Sequence, residues 1–301
     1  MKNLFLTLFL AFASICVCDA QLLYRISDNS LPKPSYIVGT YHLAPASFVD
    51  SIPGAKAALN AVDVVCGEIA ISEMEGKANE KKMKEAMMLP DGKSLADVLT
   101  ADEMQRLNRY MDGVLGMNLD NPILKRLIGK MTPMAIAIQL QMMQYAKLTP
   151  QFNPLKLIDA HFQKIAKKAG KKVIGLETMD YQIAVLYKGT TIERQKQQLF
   201  CMIDNSEYYS LQMKELSAAF FAQDMQALWE ITEEKLDNQC DSTPQEDEVL
   251  IFGRNSAWAE KIPAMIGEAP TLFVVGAAHL PGERGVIELL KAKGYTIDAV
   301  R

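Results

Sequence analysis

Two of the three histidines in this 301-residue chain follow the same short pattern, one near each end of the sequence. His42 closes Gly39-Thr40-Tyr41-His42, and His279 closes Gly276-Ala277-Ala278-His279. An apolar, β-branched run precedes each motif, and a leucine follows each histidine. Imidazole is the commonest metal ligand and the usual proton carrier near neutral pH. The repeat therefore predicts that both rings lie at the rim of one sheet and share a site.

A carboxylate ends a third apolar run. Glu68 follows Val64-Val65-Cys66-Gly67, where a buried charge would be costly unless it is paired or bound to a metal. Two histidines and one carboxylate can hold a divalent ion with open positions for water. Water on such an ion supplies hydroxide near neutral pH. The pattern predicts metal-dependent hydrolysis, with His42, Glu68 and His279 as both metal ligands and catalytic residues.

Other polar residues could support this site. Glu177 closes the apolar run at 173–176 and either faces the site or caps the following helix. Arg254, next to Asn255, either orients a substrate carboxylate or a catalytic group bidentately or stabilises the fold through an Arg–Glu contact. His161 lies in a predicted helix and is assigned no catalytic role. The chain has no Gly-x-Ser-x-Gly, His-Glu-x-x-His, phosphate-loop or Gly-x-Gly-x-x-Gly motif, so the corresponding enzyme classes lack support.

The elements that must position these residues indicate an α/β fold. Each Gly-x-x-His strand leads through a loop and a helix into another strand. We expect a central sheet built from two such β–GxxH–α–β pseudo-repeats, with a large helical insertion at about 72–170 and 178–262. Residues 22–26 are predicted to form an edge strand, and residues 191–214 and 218–234 one helix each. Residues 21–301 are expected to form a single domain.

The N-terminal sequence and the composition predict where the protein acts and which partners are unexpected. A short positive start, an apolar run and Ala20 predict a signal peptide at residues 1–20, and so export to the periplasm or the medium. A lipoprotein is less expected, because Ile15 and Val17 precede Cys16 and Cys18. No later apolar run is long enough to span a bilayer. The net charge of −4, without a basic stripe, argues against nucleic-acid binding.

Three cysteines follow the predicted signal peptide: Cys66, Cys201 and Cys240. An oxidising compartment permits a disulfide between Cys201 and Cys240. Sequence alone does not show whether their Cα atoms come within bonding range, so this pairing stays open. Cys66 lies in an apolar run and is predicted to be buried.

In these residues the chain resembles the TraB/GumN family, which is related to the Tiki metalloproteases and to ChaN- and erythromycin-esterase-like proteins. The resemblance runs through nearly all of residues 21–301. Its motifs are Gly39-Thr40-Tyr41-His42, Val64-Val65-Cys66-Gly67-Glu68, Leu157-Ile158-Asp159, Lys172-Val173-Ile174-Gly175-Leu176-Glu177, Gln182, Arg254-Asn255 and the segment around His279.

The resemblance implies an α/β fold with an internal pseudo-repeat. It also implies a divalent metal held by both Gly-x-x-His motifs and Glu68, with manganese or cobalt suggested by Tiki-like members and zinc as a further option. The residues that would support the ligands or contact the substrate are Glu177, Arg254, Asn255 and Asp159.

The function we expect is therefore an exported, metal-dependent hydrolase of the Tiki-like peptidase kind, acting on a peptide or small-molecule substrate. Two alternatives stay open. The same cleft could belong to a non-catalytic protein that binds a peptide or glycan. It could also belong to an esterase-like hydrolase that uses His42 and His279 as acid and base without a metal.

Overall fold

The computed structural model describes residues 21–28 and 30–301, and the predicted signal peptide lies outside them. The described chain has a mixed α/β fold, as the sequence predicted. Its strands are β1 (Leu23–Ser27), β2 (Ser35–Thr40), β3 (Val64–Ile69), β4 (Lys172–Glu177), β5 (Thr271–Gly276) and β6 (Thr296–Ala299). They form one sheet in the order β4-β3-β5-β2-β1-β6.

The middle of the sheet is parallel. β5 pairs in parallel with β2 on one side and with β3 on the other, and β3 pairs in parallel with β4. All six residues of β5 are buried, as expected for a parallel strand covered on both faces. The prediction that residues 22–26 form an edge strand is wrong. β1 pairs antiparallel with both β2 and β6, because the C-terminal strand adds to its free side and takes the edge.

The described part of the chain also contains fifteen α-helices. They are α1 (Ala55–Ala61), α2 (Ile71–Met74), α3 (Lys77–Ala86), α4 (Leu95–Val98), α5 (Ala101–Leu115), α6 (Pro122–Ile128), α7 (Pro133–Leu148), α8 (Ile158–Lys168), α9 (Met179–Ile183), α10 (Ile192–Asp204), α11 (Ser206–Phe221), α12 (Met225–Glu233), α13 (Pro244–Asp247), α14 (Gly253–Glu268) and α15 (Val286–Ala292). Two π-helical turns (Ala184–Lys188, Glu248–Phe252) follow α9 and α13, and three 3₁₀ turns lie at Ala46–Ser51, Pro90–Gly92 and Ala277–His279.

Two of the long helices predicted from sequence are each interrupted. The segment 191–214 bends at Asn205, which ends α10 and precedes α11. The segment 218–234 is broken at Gln223, whose φ is 59°. There the N–H of Asp224 returns to the carbonyl of Ala219, and the Asp224 side chain caps the next helix. A residue with a left-handed φ, followed by an N–H that donates back to a carbonyl of the preceding helix, is typical of a helix end.

The two Gly-x-x-His strands lie side by side. β2 and β5 are neighbours, so their carboxyl ends meet at one edge of the sheet. The chain leaves β2 through α1 toward β3 and leaves β5 through α15 toward β6, which are on opposite sides of the pair. Ligands of open α/β sheets bind where neighbouring strands connect in opposite directions. The internal repeat itself stays a prediction, since the two units end at opposite parts of the sheet.

Three clusters of buried residues stabilise the described chain. The largest packs around the sheet and includes Trp258 and Phe273, the second lies among α4, α5, α7 and α10, and a small third cluster joins β3 to α9. Cys201 and Cys240 form a disulfide with Cα atoms 5.5 Å apart, while Cys66 is buried and free. No helix within the described ranges is long and apolar enough to cross a bilayer.

Candidate active site

The glycines of the two motifs serve close approach rather than a turn. Neither Gly39 nor Gly276 has a positive φ. A Cβ on Gly39 would lie 3.0 Å from the side chain of Leu280 and 3.1 Å from Ala277. The two glycines therefore let the strand ends and the second histidine loop pack against each other.

The three predicted ligands converge beside Gly276. A Cβ built on this glycine would lie 3.3 Å from Oε1 of Glu68, 3.5 Å from Cδ2 of His279 and 3.8 Å from Nε2 of His42. Because all three atoms lie within 3.8 Å of that one position, any two of them are less than twice 3.8 Å apart. Gly276 also donates its N–H to Oε1 of Glu68 at 2.8 Å. The structure brings His42, Glu68 and His279 together around one point.

His42 is the open member of the group. Its side chain is 70% exposed, and its Nδ1 lies 3.3 Å from Oδ1 of Asp159. The Thr40 hydroxyl donates to the same carboxylate. Asp159 raises the pKa of His42 to about 9, since the carboxylate favours the imidazolium. Burial opposes ionisation of Asp159, but His42, the Thr40 hydroxyl and a backbone hydrogen bond together hold the pKa of Asp159 below its usual range.

Asp159 reaches His42 because two distant segments pair. Pro45, just after the first motif, forms a β-bridge with Leu157, just before α8. The N–H of Ile158 donates to the carbonyl of Ala44 at 3.1 Å. These contacts place the first turn of α8 against the end of β2. An acidic residue in a first helical turn is common for other reasons, so sequence alone gives Asp159 no clear partner.

His279 is the closed member of the group. Its Nδ1 lies 2.6 Å from Oδ1 of Asn255, and its Nε2 lies 3.2 Å from Nη1 of Arg254. Asn255 donates its amide nitrogen to the carbonyl of Arg284, so its oxygen faces the ring. The ring packs on Trp258 with centroids 4.4 Å apart. Burial, helped by the charge of Arg254, lowers the pKa of His279 to about 4. The neutral ring thus donates from Nδ1 and accepts at Nε2.

Arg254 joins the parts of the site. Its Nε and Nη2 donate to the two oxygens of Glu177, each at 2.9 Å, and its Nη2 also donates to Oε2 of Glu68 at 2.6 Å. Trp258 donates its indole N–H to Glu177 at 2.8 Å. The Arg–Glu contact expected for Arg254 is therefore present, and it extends to Glu68. Burial opposes the charge on Glu68, yet His42 and Arg254 together hold its pKa below the usual range.

A crevice of about 200 Å³ opens beside this network, and it is large enough for a small side chain or acyl group. His42, Glu68, Asp159 and Gln182 supply its polar wall. Its other lining residues are Ile69, Met74, Leu157, Ala160, Gln163 and Val274. The crevice therefore combines an exposed imidazole with an apolar floor.

As they are arranged, the three predicted ligands do not fit a divalent ion. Both ring nitrogens of His279 are engaged, and the guanidinium of Arg254 contacts His279 and Glu68 where a shared cation would lie. Within the described residues, no group of three His, Cys, Asp or Glu side chains is disposed to hold a metal. The metal assignment made from sequence stays a prediction, and no catalytic step is derived through a metal.

Two residues of the site had no assigned role in the sequence analysis. Thr40, the hydroxyl that fixes Asp159, lies inside the first motif. Gln182 donates Nε2 to Oε2 of Glu68 at 3.1 Å and to Oε2 of Glu177 at 3.2 Å. An uncharged helical residue five positions after Glu177 gives no signal of this contact. By contrast His161, on α8, is absent from the crevice lining, as its exclusion from catalysis requires.

Comparison with known proteins identifies the family of the chain. The TraB/PrgY/gumN family model matches residues 22–299. The chain is 22% identical to "Metalloprotease TIKI2" of Danio rerio, in an alignment covering 88% of this chain and 58% of that protein. It is 22% identical to "Metalloprotease TIKI2" of Xenopus tropicalis, covering 88% and 57%. The chain thus spans less than three fifths of these relatives. No solved structure gives a significant match.

Proposed function

This chain belongs to the TraB/PrgY/gumN family, and we propose that it is a hydrolase in which His42 activates water against a substrate bound in the crevice. The observation that carries the proposal is the His42–Asp159 pair. A histidine with one nitrogen fixed by a carboxylate and the other open to a pocket is the arrangement of a general base. The names of the relatives, which contain "metalloprotease", support a hydrolytic reaction, and a peptide is the substrate class they suggest.

The reaction follows from the groups that face the crevice. Neutral His42 carries its proton on Nδ1, toward Asp159, and accepts a proton from water at Nε2. The resulting hydroxide attacks the carbonyl carbon of the substrate. His42 then returns the proton to the leaving group, and the acyl–heteroatom bond breaks. Asp159 stays ionised throughout and stabilises the imidazolium.

The buried groups position this base rather than react. Glu68 is held by the N–H of Gly276 and by Arg254, so its charge stays fixed beside the histidine. His279 and Asn255 anchor the other side of Arg254. Preorganised charges of this kind act without reorganisation during the reaction. In this proposal His279 supports the network, whereas the sequence analysis assigned it to catalysis or metal binding.

A second candidate is the metal-dependent peptidase predicted from sequence. The relatives' names favour it, while the engagement of His279 and Arg254 weighs against it. Export is also part of the proposal. The Cys201–Cys240 disulfide supports it, because such bonds persist in oxidising compartments.

The test is hydrolysis of a peptide library and of simple acyl esters by the purified protein. We expect His42→Ala to lower kcat/KM by about 10²- to 10⁴-fold, the usual worth of a general base. His161→Ala is the matched control and should leave kcat/KM unchanged. Equal rates for wild type and His42→Ala would refute the proposal. Binding of a peptide or glycan without any turnover would favour the non-catalytic alternative. Loss of turnover with a chelator, restored by manganese, would favour the metal-dependent candidate.

A further inference from the structure

Gln182 occupies a distinctive position in the polar wall of the crevice. It lies on α9, directly after the strand that carries Glu177. Its Nε2 contacts Oε2 of Glu68 at 3.1 Å and Oε2 of Glu177 at 3.2 Å. Nη2 of Arg254 donates to the same two oxygens. The amide nitrogen is therefore one of two donors that hold these carboxylates together.

These contacts fix the orientation of the amide group. An ionised carboxylate only accepts hydrogen bonds, so the flipped amide would place Oε1 of Gln182 against two acceptor oxygens. The nitrogen must face Glu68 and Glu177, as the hydrogen-bond network requires. Since Oε1 and Nε2 point in different directions from one planar carbon, Oε1 is directed away from both carboxylates.

The amide oxygen of Gln182 has no partner among residues 21–28 and 30–301. The other glutamine of the crevice is a useful contrast. Gln163 donates Nε2 to the carbonyl of Ile69 at 3.1 Å and accepts from the N–H of Ile71 at 2.8 Å, so both ends of its amide are engaged. Gln182 has only its nitrogen engaged, although it lines the same space as His42. Its oxygen is therefore an uncharged acceptor on a residue that lines the same crevice as the proposed base.

We infer that Gln182 binds the substrate by accepting a hydrogen bond from the N–H of the scissile amide, which makes the site selective for amides over esters. The inference rests on the proposed hydrolase function. An amide supplies the donor that Oε1 lacks. An ester has an oxygen at that position, which cannot donate and would oppose Oε1 with its own lone pairs.

The test separates the two ends of the Gln182 side chain. Gln182→Lys keeps a donor for Glu68 and Glu177 but removes the acceptor, whereas Gln182→Glu keeps acceptor oxygens and removes the donor. The probes are N-acetyl-leucine p-nitroanilide and N-acetyl-leucine p-nitrophenyl ester, because the crevice floor is apolar. The readout is the ratio of kcat/KM for the amide to that for the ester. Comparing this ratio between variants cancels the intrinsic reactivity of the two probes.

We expect Gln182→Lys to lower the amide-to-ester ratio by roughly tenfold, the usual worth of one hydrogen bond. The amide-to-ester ratio of Gln182→Glu should stay closer to the wild-type value than that of Gln182→Lys. Asp180→Asn is the matched control on the same helix. Its carboxylate faces Lys82 at the surface, so this substitution should leave the ratio unchanged.

If the amide-to-ester ratio of Gln182→Lys equals that of wild type, the inference is overturned and the hydrolase proposal is unaffected. If wild type hydrolyses neither probe, the hydrolase proposal fails for these substrates. The inference is then decided by the dissociation constants of the same two probes. Tighter binding of the anilide, lost in Gln182→Lys, would support it. Equal constants, or no binding of either probe, would overturn it.

Discussion

Replacing Arg254 by leucine removes the cation that neutralises two buried carboxylates. The Arg254 side chain is 8% exposed, Glu177 is 3% exposed and Glu68 is 14% exposed. Arg254 also donates to the carbonyl of Leu250 at 3.1 Å and contacts His279. Breaking a buried ion pair from one side typically costs about 3–5 kcal/mol. We therefore expect Arg254→Leu to lower the free energy of unfolding by at least about 3 kcal/mol at pH 7, a large part of the usual total.

The dependence on pH identifies the cause. In wild type the lowered pKa of Glu68 contributes stability above the pKa of the unfolded chain, and this is lost as the pH falls through the folded pKa. In Arg254→Leu one of the charges that lower the pKa of Glu68 is lost while His42 remains, so the folded pKa of Glu68 should rise toward the unfolded value of about 4.3. Protonating Glu68 at low pH then costs the folded variant less stability than it costs wild type. The difference in unfolding free energy between wild type and variant should therefore narrow as the pH falls below about 5.

The assay is urea unfolding followed by circular dichroism, with the disulfide intact. Arg25→Leu is the matched control, because Arg25 and Asp298 form an exposed pair at 2.8 Å, and we expect a change below about 1 kcal/mol. Adding Glu177→Gln to Arg254→Leu should restore part of the lost stability, since it removes one unpaired charge. Strictly additive losses in that double variant, or a gap that does not change with pH, would refute this reasoning.

Three further predictions concern metal, disulfide and strand packing. The side-chain arrangement predicts that protein purified without chelator holds less than one equivalent of divalent metal by mass spectrometry, and that chelator leaves hydrolysis unchanged. Replacing Cys201 and Cys240 by serine should cost about 2–4 kcal/mol of unfolding free energy, and alkylation of unreduced, unfolded wild type should modify Cys66 alone among the three cysteines of residues 21–301. Gly67→Ala should lower the unfolding free energy by about 1–3 kcal/mol, because its Cβ would lie 2.2 Å from Nε2 of Gln163; an unchanged melting temperature would contradict this packing.

Sequence patterns predicted the strands that carry the candidate site, because each reports a local property. Apolar runs ending in Gly-x-x-His or in Glu68 locate β2, β5 and β3. The start of α5 is local in the same way, because the Thr100 side chain caps it by accepting from the N–H of Glu103. Parallel strands then place those ends at one edge of the sheet.

What sequence could not give depends on contacts between distant segments. β1 is an inner strand only because residues 296–299 return to pair with it. The partner of His42 is fixed by the bridge between Pro45 and Leu157. The engagement of both nitrogens of His279 requires α14 to pack against the end of β5, which no local pattern encodes. For the same reason the metal prediction did not anticipate that Arg254 contacts two of the predicted ligands, Glu68 and His279.

The central claim is that His42, fixed by Asp159, is the base of a hydrolase, and its most direct test is the pH profile of kcat/KM for wild type and Asp159→Asn. Only neutral His42 accepts a proton, so the wild-type rate should rise with pH and level off near its pKa of about 9. Asparagine removes the charge that favours the imidazolium, so the midpoint should fall toward the unperturbed value of about 6.5 while the plateau drops. A midpoint that is the same in both proteins would contradict the claim.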